Sequence, residues 1–148
     1  MRDLMMMLMM VFVSGLVPLQ AIVNSRLGQV TRNPFLSAFV SFAGGVLTLG
    51  IITLIWSQGM PRVPDGARVP WYLLTGGIFG AMFVTTTLVL VPRIGVANVI
   101  AATIVGQLTM SLILDHFGLL GIPRNPMTLT RVLGATFLVL GMFFIQRQ

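Results

Sequence analysis

Five apolar segments, each about twenty residues long, dominate this chain of 148 residues. The segments cover residues 4–23, 34–56, 70–91, 95–115 and 127–145. A bilayer core about 30 Å thick is crossed by about 20 apolar residues in a helix, so each segment is long enough to span a membrane. Lipid offers the backbone no hydrogen bonds, whereas a helix satisfies its own. The sequence therefore predicts an all-α membrane protein with five transmembrane helices, over about residues 4–26, 34–57, 70–91, 95–115 and 127–146.

Little of the chain lies outside these segments. Hydrophobic residues make up 56% of it and charged residues only 8%, whereas a soluble domain carries roughly 25% charged residues. The loops and ends together hold about 35–40 residues, which is too few for a soluble domain. We therefore expect a single transmembrane domain over residues 1–148.

The basic residues are divided almost evenly between the two sides of the predicted membrane, and all nine are arginines. Those on the side of the N-terminus are Arg2, Arg62, Arg68, Arg124 and Arg131. Those on the opposite side are Arg26, Arg32, Arg93 and Arg147. Such a small bias does not fix an orientation by the positive-inside rule. We therefore expect insertion in both orientations, with two copies paired head to tail as an antiparallel dual-topology homodimer that has inverted symmetry.

Several functions are excluded by what the chain lacks. Its arginines stand singly at helix ends rather than clustered on one face, which argues against nucleic-acid binding. Cysteine is absent, so there is no thiol catalysis, thiolate metal site or disulfide. The sequence also shows no nucleophile–base set, metal-ligand cluster or phosphate-binding loop. We expect neither an enzyme, nor a cofactor, nor a metal.

A first polar cluster lies in the first predicted helix. Gln20 and Asn24 are one turn apart and share a face. Pro18 cannot donate to the carbonyl of Ser14, so the helix bends and an acceptor is freed beside the two amides. One interpretation is a substrate pathway that includes Ser14, Gln20 and Asn24. The other is that the amides form hydrogen bonds between helices, with Asn24 also capping the C-terminus of its helix.

A second polar cluster runs down the fourth predicted helix. Its members, spaced by four residues, are Thr103, Gln107, Ser111 and Asp115. Gln107 falls near the membrane midplane, and we expect it, with Ser111, to line the substrate pathway. Asp115 either takes part in ion or proton coupling or pairs with Arg124 or Arg131. His116 either joins that coupling or is an interfacial residue without such a role. Asn98 is also a pathway candidate, because it is expected on the same side of the membrane as Asn24.

Small residues recur at the spacing that lets transmembrane helices approach closely. They are Ser37, Ser41 and Gly45 in the second helix, and Gly76 and Gly80 in the third. Stripes of this kind are typical of helix packing in lipid, where no hydrophobic effect drives helices together. We expect these five residues to serve packing.

Six stretches of the chain together resemble a known family. They are GLVPLQAIVNSRLG (15–28), NPFLSAFVSFAGG (33–45), PWYLLTGGIFGAMFV (70–84), PRIGVAN (92–98), GQLTMSLILDHFGLLG (106–121) and RVLGATFLVLG (131–141). The chain resembles the YdcZ-like family of small bacterial inner-membrane proteins, which is placed in the drug/metabolite transporter superfamily. The resemblance implies a multi-pass protein of the inner membrane and a five-helix half-unit of a ten-helix inverted-repeat transporter.

The same resemblance implies an antiparallel partner, either a second copy or an oppositely oriented paralogue, within membrane lipid. The related small multidrug resistance exporters use a glutamate in their first helix. This chain contains no glutamate, which argues against exchange of a cation for protons.

These observations lead to one functional hypothesis and one rival. The chain is expected to export a small polar metabolite or drug-like compound by alternating access, around Gln20, Asn24 and Gln107 of both copies. The rival is a non-transporting accessory or assembly subunit, in which the same polar residues bond to another membrane protein.

Overall fold

In the computed structural model, residues 2–57 and 69–146 are described, and apart from turns and linkers they are helical. The α-helices are α1 (Arg2–Ser14), α2 (Leu16–Val30), α3 (Pro34–Trp56), α4 (Gly76–Ile94), α5 (Val96–Phe117) and α6 (Leu129–Gln146). Short 3₁₀ turns cover Trp71–Leu74 and Leu119–Gly121. Five stretches are long and apolar enough to cross a membrane: Leu4–Val30, Pro34–Trp56, Trp71–Ile94, Val96–Phe117 and Leu129–Gln146. The prediction of an all-helical, five-span protein is confirmed.

The first span is interrupted between α1 and α2. The Gly15 amide donates to both the Val11 and the Phe12 carbonyl at 3.2 Å, and α2 begins at the next residue, Leu16. Pro18 explains the position of the break, because it has no N–H to donate to the Ser14 carbonyl one turn earlier. Gly15 itself keeps right-handed helical dihedrals, with φ −61° and ψ −17°, so the bend expected from Pro18 stays a prediction.

The first span ends at Val30, four residues beyond the end predicted at about residue 26. Two amides close the end: Arg32 N–H donates to the Gln29 carbonyl at 3.2 Å, and Asn33 N–H donates to the Gly28 carbonyl at 3.0 Å. This pair of bonds is a Schellman motif, in which the residue after the cap adopts a left-handed conformation. Arg32 occupies that position with φ 52°. The following Asn33-Pro34 holds Asn33 extended and so stops the helix.

The second span begins immediately after this turn. The Asn33 side chain accepts a hydrogen bond from the Leu36 amide at 3.1 Å, and Pro34 occupies the first helical position. Proline is favoured there because its missing N–H would have had no helical partner. The turn of only three residues, 31–33, folds α3 back against α2.

The chain divides into two compact units, Met1–Arg93 and Ile94–Gln148. In the first unit α2 packs on α3, and in the second α5 packs on α6. Small buried side chains, Ala21 on α2 and Ser37 and Ala38 on α3, let the first pair approach closely. The single domain over residues 1–148 stays a prediction, as do the dimer and the inverted repeat.

Large apolar side chains cover the outside of the helices. Within the most apolar window of each span, 0 to 17% of the residues are buried. Phe12 is 79% exposed and Trp56 87% exposed. Lipid tails solvate such side chains as well as a protein core would, so this exposure fits a membrane environment. Trp56 and Trp71 lie at span ends, where amphipathic aromatic rings favour the interface.

Candidate functional site

Two interhelical hydrogen bonds centre on Asn24 of α2. Its side-chain amide donates to the Ser41 hydroxyl at 2.9 Å, and its backbone carbonyl accepts from the Ser37 hydroxyl at 2.6 Å. Ser37 is 0% exposed and Asn24 is 9% exposed. Asn24 therefore bonds across helices, as one of the two interpretations expected. It does not cap its helix, because α2 continues to Val30 and is capped at Thr31.

Of the five small residues expected to serve packing, some lie in helix interfaces and others do not. Ser37 and Ser41 lie in the α2–α3 interface, where they bond to Asn24. A Cβ added at Gly80 would lie 3.4 Å from the Phe42 ring, so α4 approaches α3 there. At Gly45 and Gly76 an added Cβ would meet nothing within 4 Å among the described residues. Close packing across those two glycines is therefore not seen in a single copy.

An open cleft, here called the α2–α4 cleft, lies between α2 and α4. Its walls are Val17, Gln20, Ala21 and Asn24 from α2, and Phe83, Val84, Thr87 and Leu88 from α4. Its cavity volume is about 20 Å³, far below the roughly 300 to 1,000 Å³ of small-molecule pockets. The structure thus brings Gln20 and Asn24 together with Thr87 along one apolar-walled groove.

The polar groups of this cleft lie deep in the spans. Gln20 is three residues from the midpoint of Leu4–Val30, or about 5 Å at 1.5 Å per residue. Thr87 lies about 7 Å from the midpoint of Trp71–Ile94 by the same measure. No ionisable side chain is among the residues that line the cleft. Its chemistry is that of neutral amides and one hydroxyl on an apolar wall.

Sequence reasoning missed Thr87, which is 8% exposed and lines the cleft. The available signal was helical spacing: Phe83, Thr87 and Val91 recur every four residues and so share a face of α4. The neighbouring Thr85 and Thr86 obscured that signal, because three consecutive threonines point in three directions. Ser14 was expected in the pathway. Its hydroxyl donates to the Val11 carbonyl at 3.0 Å, and it is not among the cleft residues.

The polar stripe of the second unit lies on α5. Gln107 is exposed and lies at the middle of Val96–Phe117. The Ser111 hydroxyl is also exposed and donates to the Leu108 carbonyl of its own helix at 2.9 Å. Asn98 likewise bonds locally, donating to the Ile94 carbonyl at 2.7 Å. The pathway roles of these three residues, and a meeting of Asn98 with Asn24, stay predictions.

Asp115 pairs with Arg131 rather than with Arg124. Arg131 Nη1 lies 3.3 Å from Asp115 Oδ2 and donates to the Asn125 carbonyl at the same distance. The Asn125 amide in turn donates to the Asp115 carbonyl at 2.8 Å. Arg124 instead donates through Nε to the His116 carbonyl at 3.0 Å. The segment after α5 is therefore folded back onto the C-terminal end of that helix.

His116 belongs to the same arrangement. Its Nδ1 accepts a hydrogen bond from the Met127 amide at 3.0 Å, which requires an unprotonated Nδ1. Its ring also meets Phe117 edge to face, with centroids 4.8 Å apart. Among the described residues there is no group of three side chains suited to holding a metal ion. Ion or proton coupling through Asp115 and His116 stays a prediction.

Comparison with known protein families finds a match over most of the chain. The model of the DMT_YdcZ family, described as "Putative inner membrane exporter, YdcZ", matches residues 5–144. That match includes both the α2–α4 cleft and the polar stripe of α5. No curated protein and no solved structure matches the chain significantly.

Proposed function

This chain belongs to the YdcZ family of inner-membrane exporters, and we propose that it exports a small polar compound along a path that includes the α2–α4 cleft. The family is one of transporters rather than enzymes, and the chain is a multi-pass protein of the inner membrane. The observation that carries the proposal is an open groove at membrane depth that presents Gln20 and Thr87. Polar groups at this depth are costly unless they serve a pathway or bond to protein.

The lining of the cleft favours an uncharged or zwitterionic compound. Amides and hydroxyls offer both donors and acceptors, whereas a lone cation at this depth would need an opposite charge. The residues that line the cleft provide no such charge. The chain also contains no glutamate, so a buried glutamate cannot exchange a cation for protons.

We further propose that the working form is an antiparallel homodimer. Two features support it besides the arginine balance. The α2–α4 cleft is smaller than an ordinary ligand pocket, so it is best understood as part of a larger site. Gln107 is exposed at the middle of its span, where an amide facing lipid would be costly. A second, inverted copy would provide cover for Gln107 and would allow alternating access between two equivalent states.

One observation favours the rival, an accessory or assembly subunit. Asn24 is occupied on both its amide and its carbonyl by Ser41 and Ser37. If Gln20 and Gln107 made similar bonds to another membrane protein, every polar group would be structural. The two functions differ in whether water reaches the α2–α4 cleft.

Cysteine accessibility tests this difference without knowledge of the substrate. The native chain contains no cysteine, so single cysteines can be introduced directly. The informative variants are Gln20→Cys and Thr87→Cys, and the matched control is Leu19→Cys. Leu19 is 59% exposed at the same depth as Gln20 but does not line the cleft. The probe is a charged, membrane-impermeant maleimide, applied to the full-length protein in inverted and right-side-out vesicles.

Maleimides react with the thiolate, which forms in water but not in lipid. We expect Gln20→Cys and Thr87→Cys to react at least about ten times faster than Leu19→Cys, because only the two cysteines in the cleft would be in contact with water. Equal, slow labelling of all three variants would show that no aqueous path reaches the cleft. That result would contradict the export path and favour the accessory subunit.

A further inference from the structure

A second cleft, here called the end cleft, lies where α2 ends, α3 begins and α4 ends. It is formed by residues that include Ser25, Gly28, Gln29, Pro34, Leu88 and Arg93, and its cavity volume is about 240 Å³. Val30, Pro34 and Ile94 are the last or first residues of three membrane spans. The end cleft therefore lies at one edge of the first unit, at the level of the lipid headgroups.

The charge around the end cleft has one sign. Arg93 lines it, and Arg26 and Arg32 belong to the same end of the unit. The three acidic residues of the chain are Asp3, Asp65 and Asp115. None of them occurs in α2, in α3 or in α4, so no carboxylate of these helices offsets the arginines. Such an arrangement attracts anions from the membrane surface.

The wall of the end cleft is amphipathic. On the polar side, Arg93 supplies a guanidinium and Gln29 supplies an amide. Ser25, which is only 5% exposed, supplies a hydroxyl. On the apolar side, Leu88 and Val89 extend the wall along α4 toward the middle of the membrane. A guanidinium recognises phosphate through paired, charge-assisted hydrogen bonds. The polar groups thus suit a phosphate, and the apolar groups suit the chain attached to it.

We propose that the end cleft binds an anionic phospholipid, with its phosphate against Arg93, Gln29 and Ser25 and its acyl chain along Leu88 and Val89. This site shares Leu88 with the α2–α4 cleft but none of that cleft's polar side chains, because Gln20, Asn24 and Thr87 do not line it. The proposal of a lipid site does not depend on whether the chain transports a substrate. Free phosphate shares the headgroup chemistry but cannot use the apolar wall, so the lipid is the occupant to which the geometry points.

Lipid binding to the purified full-length protein tests this proposal. The probes are phosphatidylglycerol, phosphatidylcholine and inorganic phosphate, added to the protein in a neutral detergent. Native mass spectrometry counts bound lipid, and thermal unfolding reports its effect on stability. The test variants are Arg93→Gln and Gln29→Leu. The matched control is Arg26→Gln, because Arg26 is exposed on α2 but does not line the end cleft.

We expect Arg93→Gln to bind phosphatidylglycerol roughly tenfold more weakly, as for loss of one charge-assisted contact. Gln29→Leu, at an exposed position where folding is not at risk, should bind it roughly threefold more weakly. Arg26→Gln should bind phosphatidylglycerol clearly more tightly than Arg93→Gln does, because it removes only a distant, screened charge. Phosphatidylcholine should bind more weakly than phosphatidylglycerol throughout. Equal losses in Arg93→Gln and Arg26→Gln would overturn the proposal, since they would indicate attraction by net charge alone. Competition by millimolar inorganic phosphate would also overturn it, in favour of a free-anion site.

Discussion

The hydrogen bond from Ser37 to the Asn24 carbonyl should contribute measurably to stability, and Ser37→Ala removes it. The donor and acceptor are 2.6 Å apart, and Ser37 is 0% exposed. Interhelical hydrogen bonds in membrane proteins average about 0.6 kcal/mol and reach about 1.7 kcal/mol. The short distance and complete burial place this bond in the upper part of that range, at about 1 to 1.7 kcal/mol.

The cost of Ser37→Ala should not exceed that range. The substitution removes one oxygen and leaves the Cβ in place, so no large cavity forms. The Asn24 carbonyl lies within α2 and keeps its place in the helical hydrogen-bond ladder. The variant therefore loses a bond without stranding a buried polar group, which would cost more.

Ser111→Ala is the matched control, because the same atom is removed. Its hydroxyl is exposed and bonds only to the Leu108 carbonyl of its own helix. The free energy of unfolding is measured by titrating the micelle-bound protein with a denaturing detergent and following helicity by circular dichroism. Ser37→Ala should be less stable than Ser111→Ala by about 1 kcal/mol. A difference below about 0.3 kcal/mol, the usual error of additivity, would refute the reasoning.

Three further predictions use the same unfolding assay. Arg32→Gly should stabilise the protein by about 1 kcal/mol, because Arg32 has φ 52° at a position that glycine occupies without strain; a loss of stability would show that the arginine side chain outweighs its backbone cost. Gly118→Ala should lower the free energy of unfolding by more than about 1 kcal/mol, since Gly118 has φ 63° and the new Cβ would lie 3.2 Å from the Cβ of Arg124. An unchanged midpoint of unfolding would contradict this prediction. Asp115→Asn should cost less than about 1 kcal/mol, because the Asp115 and Arg131 side chains are 37% and 32% exposed; a cost above about 2 kcal/mol would indicate a buried, functionally coupled pair.

Much of the fold could be predicted because its signals are local. Segment length and hydropathy identify all five spans, and Asn33-Pro34 identifies the start of α3. The predicted end of the first span was less accurate, since the charged Arg26 and the polar residues beside it suggested an exit from the membrane. Helical hydrogen bonding continued past them, and only the turn before Pro34 stopped it. Polarity marks where lipid ends, whereas backbone geometry decides where a helix ends.

The candidate site was harder to predict because it depends on which helices meet. Asn24 was recognisable as a polar residue at depth, but its two partners on α3 became clear only from the packing. Thr87 was missed because no local rule joins α2 to α4. The pairing of Asp115 with Arg131 was one of two stated possibilities, since both Arg124 and Arg131 follow within reach of the same helix end.

The orientation of the C-terminus tests the central claim, an exporter built from two inverted copies, most directly. A reporter active only in the cytoplasm and, separately, one active only outside it would be fused after Gln148, and the two fusions would be expressed at equal levels. The near-equal division of arginines predicts activity from both reporters, as an antiparallel homodimer requires. Activity from one reporter alone would contradict the self-inverted pair and require an oppositely oriented partner of different sequence.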